Sequence, residues 1–178
     1  MKAPPVITTT RLTLRRPELP DVDPIFARYS SDLDVTRYVG WPTHQSIDQT
    51  RAFVAFSDGE WERWPAGPYL IFLKDTGELL GGTGLAFETP ERAMTGYVLA
   101  KDAWGRGYAT ECTRAMIDLA RGCGVSELYA ICHTDHAASS HVLEKCGFRL
   151  DRVLRQHSEF PNLKPGVSSD VSRFELRL

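Results

Sequence analysis

The sequence has 178 residues, 42% hydrophobic and 25% charged, near the averages of soluble globular proteins, so one domain with a sizeable core is expected. Lys and Arg total 21 against 23 Asp and Glu, a formal net charge of -2, which lacks the basic field that phosphate-backbone binding needs and argues against a nucleic-acid partner. The opening MKAPPVITTT has neither signal-peptide nor spanning character, and no stretch approaches the ~20 apolar residues of a membrane helix, so a cytoplasmic protein with no membrane partner is expected.

Leu12, Thr13 and Leu14 alternate into Arg15 and Arg16 as an edge strand would, and Leu19-Pro20-Asp21 opens a helix with Ile25, Phe26 and Tyr29 on one face. Residues 34–43, holding Tyr38, Trp41 and Pro42, read as a loop. Ser46-Ile47-Asp48-Gln49 fits a capping box for a helix toward Trp64, with Phe53, Phe56 and Trp61 as its apolar residues. Strands follow at 69–74, 79–87 and 94–100, and their short turns favour an antiparallel meander. The pattern then changes. A helix over 109–121 sets Cys112, Ala115, Met116 and Leu119 on one face, a buried strand covers 128–132, and Asp135 caps a helix that ends at Gly147. Strands at 148–154 and 171–176, separated by a loop over 155–169, complete an α+β architecture, a mixed sheet flanked by helices. Cys112, Cys123, Cys132 and Cys146 form no C-x-x-C pair and fall in apolar or helical patterning, so they read as packing residues and not as a disulfide frame or metal site.

Chemistry concentrates in two segments. Between Tyr97 and Glu111 the chain passes from a strand end through Trp104-Gly105-Arg106-Gly107 into a helix start. Unpaired amides at a helix N-terminus, with the positive end of the macrodipole, suit a diphosphate, and glycines let that backbone approach closely. Taken alone, Gly105-x-Gly107 reads equally as an ordinary turn. It lacks the Gly-Lys-Ser/Thr ending of a Walker loop, and Thr110 stands at the third glycine of the dinucleotide fingerprint. One helix and one strand later, residues 133–148 read HTDHAASSHVLEKCGF. Together the two segments resemble the GNAT superfamily of acyl-CoA-dependent N-acyltransferases: residues 104–109 are similar to its Q/R-x-x-G-x-G/A signature and residues 136–148 to its N-x-x-S…E-K-x-G-F signature. The segments 10–15, 154–157 and 161–163, with Asp170, are similar to its ribosomal-protein N-terminal acetyltransferase branch. The resemblance covers nearly the whole chain.

The resemblance implies a mixed, mostly antiparallel sheet splayed between the strand ending near Leu99 and the strand 128–132, with acetyl-CoA as co-substrate in the split and no metal. It implies that Trp104, Gly105, Arg106, Gly107, Tyr108, Ala109 and Thr110 hold the pyrophosphate and that His136 bonds the pantetheine arm. Val98 and Leu99 would run beside that arm, and a backbone amide there would polarise the thioester carbonyl. Three positions depart from the family pattern: Trp104 replaces Gln or Arg, His136 replaces Asn, and Leu143 stands where many members carry a tyrosine acid. Ser139 matches the serine that protonates the departing thiolate in the ribosomal-protein branch; its alternative is a first-turn serine bonded to its own backbone. Tyr38, Trp41, His44 and Arg155, with the loop to Pro165, would flank the acceptor mouth.

A peptide α-amine of pKa about 7.7–8.0 is already roughly 10–20% neutral at pH 7, whereas a lysine ammonium is neutral in about 0.04% of molecules. An N-terminal acceptor therefore needs little help from a base. Glu88, at the end of the strand 79–87, is the candidate for direct or water-relayed deprotonation, ahead of Asp170 and His157, while Glu111 suits the helix dipole as a structural acid. With no Cys/His pairing evident, the expected chemistry is direct attack of a primary amine, from a protein or peptide N-terminus, on acetyl-CoA in a ternary complex. A small amine such as an antibiotic or polyamine is the alternative acceptor, and a non-enzymatic acyl-CoA sensor the alternative function. A homodimer is compatible with the sequence.

Overall fold

The computed structural model describes residues 2–178. Two short strands, β1 (Val6–Thr8) and β2 (Leu12–Arg15), lead into a run of helical turns. These are a 3-10 turn at Leu19–Asp21, α1 (Val22–Ile25) continued by a π turn at Phe26–Ser30, and α2 (Leu33–Thr36). Then come α3 (Ile47–Arg63), β3 (Pro68–Leu73), β4 (Leu79–Thr89), β5 (Arg92–Leu99), α4 (Tyr108–Gly122), β6 (Glu127–His133), α5 (Ala137–Lys145), β7 (Arg149–Glu159) and β8 (Ser168–Arg177). The strands form one eight-stranded sheet in the order β1-β2-β3-β4-β5-β6-β8-β7. Neighbours are antiparallel except β5 and β6, which run parallel because α4 carries the chain from one to the other. This is the mixed, mostly antiparallel α/β architecture that the alternation of elements implies.

Local chemistry sets the helix starts. The Asp32 carboxylate accepts from the amides of Asp34 and Val35 to cap α2, and Ser46 and Gln49 close a reciprocal capping box at α3. β3 shows why helices lie on both faces of the sheet: Leu70 packs with Val22, Ile25 and Val54, while its neighbour Ile71 joins Met116 and Leu128, and both are 0% exposed.

Five readings of the sequence change. β1 has only three residues, too few for an alternation to be visible. The segment 34–43 is not all loop, since α2 occupies its first residues. β7 and β8 reach inward to Glu159 and Ser168, so the loop 155–169 shrinks to residues 160–167. β7 is an edge strand with mostly exposed side chains, and its register breaks between Leu154 and Ser158 around Gln156, whose φ is 44°; no apolar rhythm survives to be read. Asp135 does not cap α5: His136 holds that place without a side-chain cap bond, and the Asp135 amide donates to His133 Nδ1 at 3.1 Å. In α3 the buried residues are Thr50, Val54, Ser57 and Trp61, whereas Phe56 is 59% exposed. Phe53 and Phe56 are apolar for a different reason: they line a cavity.

Candidate active site

β5 and β6 are paired only through Arg92 with Glu127, Ala93 with Leu128 and Met94 with Tyr129. Beyond Met94 the strands diverge, β5 staying with β4 as far as Leu99 and β6 with β8 as far as His133. The sheet therefore opens toward their C-terminal ends, and the facing edges of residues 95–99 and 130–133 make no ladder bonds to each other. An extended, amide-bearing molecule can take up such edges as a strand would.

Gly81 fixes one wall of the split. A Cβ built there would lie 2.0 Å from the Val98 carbonyl oxygen, so only glycine lets β4 approach β5 this closely. At the strand end the Trp104 indole N–H donates to the Leu99 carbonyl at 2.8 Å. The residue that replaces the family's Gln or Arg thus ties the loop to β5, and its ring is still 46% exposed.

The loop then turns through two glycines with left-handed backbone, Gly105 (φ 71°) and Gly107 (φ 80°). Gly107 is the N-cap of α4 and supplies no side-chain acceptor. The first helical bond runs from the Glu111 amide to the Gly107 carbonyl, and the N–H groups of residues 105–110 donate to no acceptor among the described residues. Six free amides at the positive end of a 15-residue helix can accept a diphosphate, and the open strand edges beside them suit an amide-bearing arm. Glu111 fastens the loop from behind. It accepts from Thr9 Oγ1 (2.7 Å), from the Arg11 amide (2.8 Å) and from Arg11 Nε (2.7 Å), while Arg11 Nη1 donates to the Arg106 carbonyl at 2.9 Å. Burial works against the Glu111 carboxylate, but these donors prevail and hold it below the usual range.

A cavity of about 920 Å³ opens from the split between the sheet and the helices α1–α3. Val98 and Ile131 contribute from the two splayed strands, and Tyr38, Trp41, His44 and Phe53 from the opposite wall. Asn162, in the β7–β8 loop, braces that wall with all its hydrogen-bonding capacity. Its Oδ1 accepts from the Thr43 amide (2.8 Å) and hydroxyl (3.0 Å), and its Nδ2 donates to the carbonyls of Thr36 (2.7 Å) and Trp41 (2.9 Å). Tyr38 stacks on His136 with ring centroids 4.5 Å apart, which covers the start of α5. Burial, helped by the nearby His133, pushes His136 below the usual histidine range.

The structure brings Val98, Tyr38, Trp41 and the start of α5 to this one region and leaves Glu88, Arg155, Asp170 and His157 outside it. Ser139 lies in the first turn of α5 beside the Tyr97 phenol and the Cys132 thiol. Burial raises Tyr97 to about 12 against the opposing influence of Ser139, so its phenol stays protonated. Glu88 sits at the closed end of the sheet, accepts from the Tyr129 hydroxyl and pairs with Arg92 at 3.3 Å. Roughly 20 Å of strand separates Arg92 from Leu99 at about 3.3 Å per residue, so the structure does not bring Glu88 to the split. Arg155 is 81% exposed and bonded to Asp170 at 2.5 Å, away from the cavity wall. The Gln156 amide and Arg155 hold Asp170 below the usual carboxylate range. His157 is exposed, with Nδ1 2.8 Å from Ser158 Oγ. Gly81, Tyr97 and Asn162 escaped the reading of the sequence as site residues; the pair Gly81-Gly82 within a strand was the available signal for the first.

Residues 11–149 match the family model described as an acetyltransferase (GNAT) domain. The chain is 32% identical over 156 residues to the uncharacterized N-acetyltransferase YoaA of Bacillus subtilis (strain 168), covering 86% of this chain and 88% of that one. Among solved structures it is similar to RimL, a ribosomal L7/L12 alpha-N-protein acetyltransferase in complex with coenzyme A. That likeness has a TM-score of 0.84 at 22% identity, over 97% of this chain and 98% of that one. It is likewise similar to the microcin C7 self immunity acetyltransferase MccE in complex with acetyl-CoA and AMP, with a TM-score of 0.85, 20% identity and coverage of 96% of this chain and 94% of that one.

Proposed function

The chain belongs to the GNAT acetyltransferase family, with acetyl-CoA as its co-substrate, and on that premise we propose that it acetylates the α-amine of a protein or peptide by direct attack in a ternary complex. The observation that carries this reading is the continuity of the split with the cavity: the same 920 Å³ space touches Val98 and Ile131 on the acyl-donor side and Trp41 and Phe53 on the other. An amine entering there meets the thioester without passing through a covalent enzyme intermediate.

In the reaction the amine nitrogen forms a bond to the thioester carbonyl carbon, the carbon–sulfur bond breaks, and the thiolate takes a proton. The amides of residues 105–110 hold the diphosphate, and the Val98–Leu99 edge aligns the arm and polarises the carbonyl. Ser139 is the proposed proton donor, its hydroxyl restored by the second proton that the nitrogen sheds. The RimL likeness supports an α-amine acceptor. A small amine is the second reading, supported by the MccE likeness and by a cavity within the usual volume of small-ligand sites and walled by Trp41, Phe53 and Phe56.

Thiol release from acetyl-CoA, measured over peptides with free N-termini, polyamines and aminoglycosides, decides between these. The α-amine reading expects release with peptides and none with their N-terminally blocked forms. Release with small amines alone shifts the assignment to the second reading, and acetyl-CoA binding with no release from any amine refutes both.

A further inference from the structure

Glu88, Asp170 and His157 all fall away from the cavity, so none of the three receives the acceptor's ammonium proton there. We propose that His44 is the general base of this site, its Nε2 taking the proton from the acceptor ammonium before the nitrogen attacks. The inference rests on the acetyltransferase reading above.

Four features of the structure carry it. His44 lines the cavity, next to Trp41, whose ring centroid is 5.2 Å from the imidazole. Its Nδ1 lies 2.8 Å from Thr50 Oγ1, and Thr50 is 0% exposed and 3.3 Å from Ser30 Oγ, so the hydroxyl is itself held in place. The His44 amide donates to the Ser30 carbonyl at 2.9 Å, which fixes the backbone. With Nδ1 committed to Thr50, the remaining ring nitrogen, Nε2, has no hydrogen-bond partner among the described residues. In the tautomer that donates from Nδ1 to the Thr50 hydroxyl, Nε2 is bare and can accept one proton.

The other titratable side chains on this cavity are Tyr29, Tyr38, Tyr69, Tyr97, Glu60 and Glu159. Burial raises Tyr29, Tyr69 and Tyr97, leaving Glu60 on α3 and Glu159 on β7 as the cavity's carboxylates. Burial also lowers His44 below the usual histidine range, so the ring is neutral at pH 7. The proton balance closes. The ammonium gives one proton to Nε2, which passes it to solvent, and the second nitrogen-bound proton ends on the departing thiol. The products are the acetamide, the free thiol and one released proton.

The test separates a base from a structural residue by varying the acceptor. Without a base only the neutral amine reacts, so His44→Gln should lose about 5–10-fold in kcat/KM at pH 7 with a peptide α-amine and on the order of 10³-fold or more with an alkylamine of pKa about 10.4. In wild type kcat/KM should rise with pH through a limb below about 6.5 and then level; in the variant it should climb toward the acceptor's own pKa. Acetyl-CoA affinity should be unchanged. An equal loss with every acceptor, or an unchanged pH profile, overturns the base. Long-range proton–nitrogen NMR of wild type supplies an independent reading that does not depend on the variant folding. The neutral His44 ring should carry its proton on Nδ1, and a proton on Nε2 overturns the proposal. Absence of turnover with any amine would instead refute the acetyltransferase reading beneath it.

Discussion

Replacing Gly107 by alanine probes the anion loop at its most constrained point. The residue sits at φ 80°, ψ 5°, where an L side chain costs about 1–2 kcal/mol. Its Cβ would meet only Arg11 Nη2, at 3.4 Å, the end of a flexible side chain that can give way. The backbone penalty therefore sets the scale, and it must surface in one of two places. If the loop keeps its shape, the folded state carries the strain and the melting temperature falls by about 2–8 °C, at 2–4 °C per kcal/mol for a chain of this size. If the loop relaxes in the free protein, the amides of residues 105–110 lose alignment, and acetyl-CoA affinity falls by about 5–30-fold, at 1.4 kcal/mol per tenfold. Calorimetric titration with acetyl-CoA and a thermal melt of the same sample report both. Gly59→Ala is the control, since that helical glycine has open space around a Cβ and ordinary backbone, so alanine should stabilise by about 0.5–1 kcal/mol. A Gly107→Ala protein unchanged in both affinity and melting temperature would refute the idea that this loop's left-handed geometry creates the site.

Ser139→Ala should lower kcat while leaving acetyl-CoA affinity intact, as seen by steady-state kinetics beside calorimetry; an unchanged kcat removes Ser139 from proton donation. Asn162→Ala leaves the Trp41 carbonyl and the Thr43 amide without their partner and the Thr36 carbonyl with the Val39 amide alone, at 3.2 Å. A stability loss of about 1–3 kcal/mol in denaturant unfolding and a raised acceptor KM, with acetyl-CoA binding preserved, are expected; a change confined to acetyl-CoA affinity contradicts the assignment of this brace to the acceptor wall. Glu111 is held below its ordinary range, so its stabilisation is complete above about pH 4.3 and is lost as pH falls through the lowered value. The melting-temperature advantage of wild type over Glu111→Gln should therefore persist at neutral pH and vanish on acidification; an advantage that grows in acid reverses the sign of the argument.

Much of this architecture is legible in the amino-acid order because local and tertiary signals agree. α4 announces itself through Cys112, Met116 and Leu119 on one face, all buried in the structure, and the Gly105–Gly107 turn before it reads directly as a helix start with free amides. The failures share a physical cause, which is that a pattern reports polarity without reporting what covers it. Phe53 and Phe56 look like core at helical spacing, yet they face a cavity, while the buried places of α3 include Thr50 and Ser57. β7 has no apolar rhythm because it is an edge strand exposed along most of its length. Glu88 could be placed at a strand end, but which end of the sheet opens depends on where β5 and β6 cease to pair, a tertiary fact. Asn162 acquires its role only when the loops after α2 and β7 meet, and His44 its place only when the loop after α2 folds back onto Ser30 and Thr50.

The most direct test of where the co-substrate binds is an amide-resolved NMR titration of the protein with acetyl-CoA. The free N–H groups of residues 105–110 and the split edges around Val98 and Ile131 should show the largest shifts, because they are the donors and edges left unpaired by the fold. A second groove of about 710 Å³ lies along α4, lined by Ile7, Thr9 and Arg114 and sharing Gly107 and Thr110 with the loop, so only the split edges tell the two sites apart. Shifts centred on that groove, with the split edges undisturbed, would contradict the account.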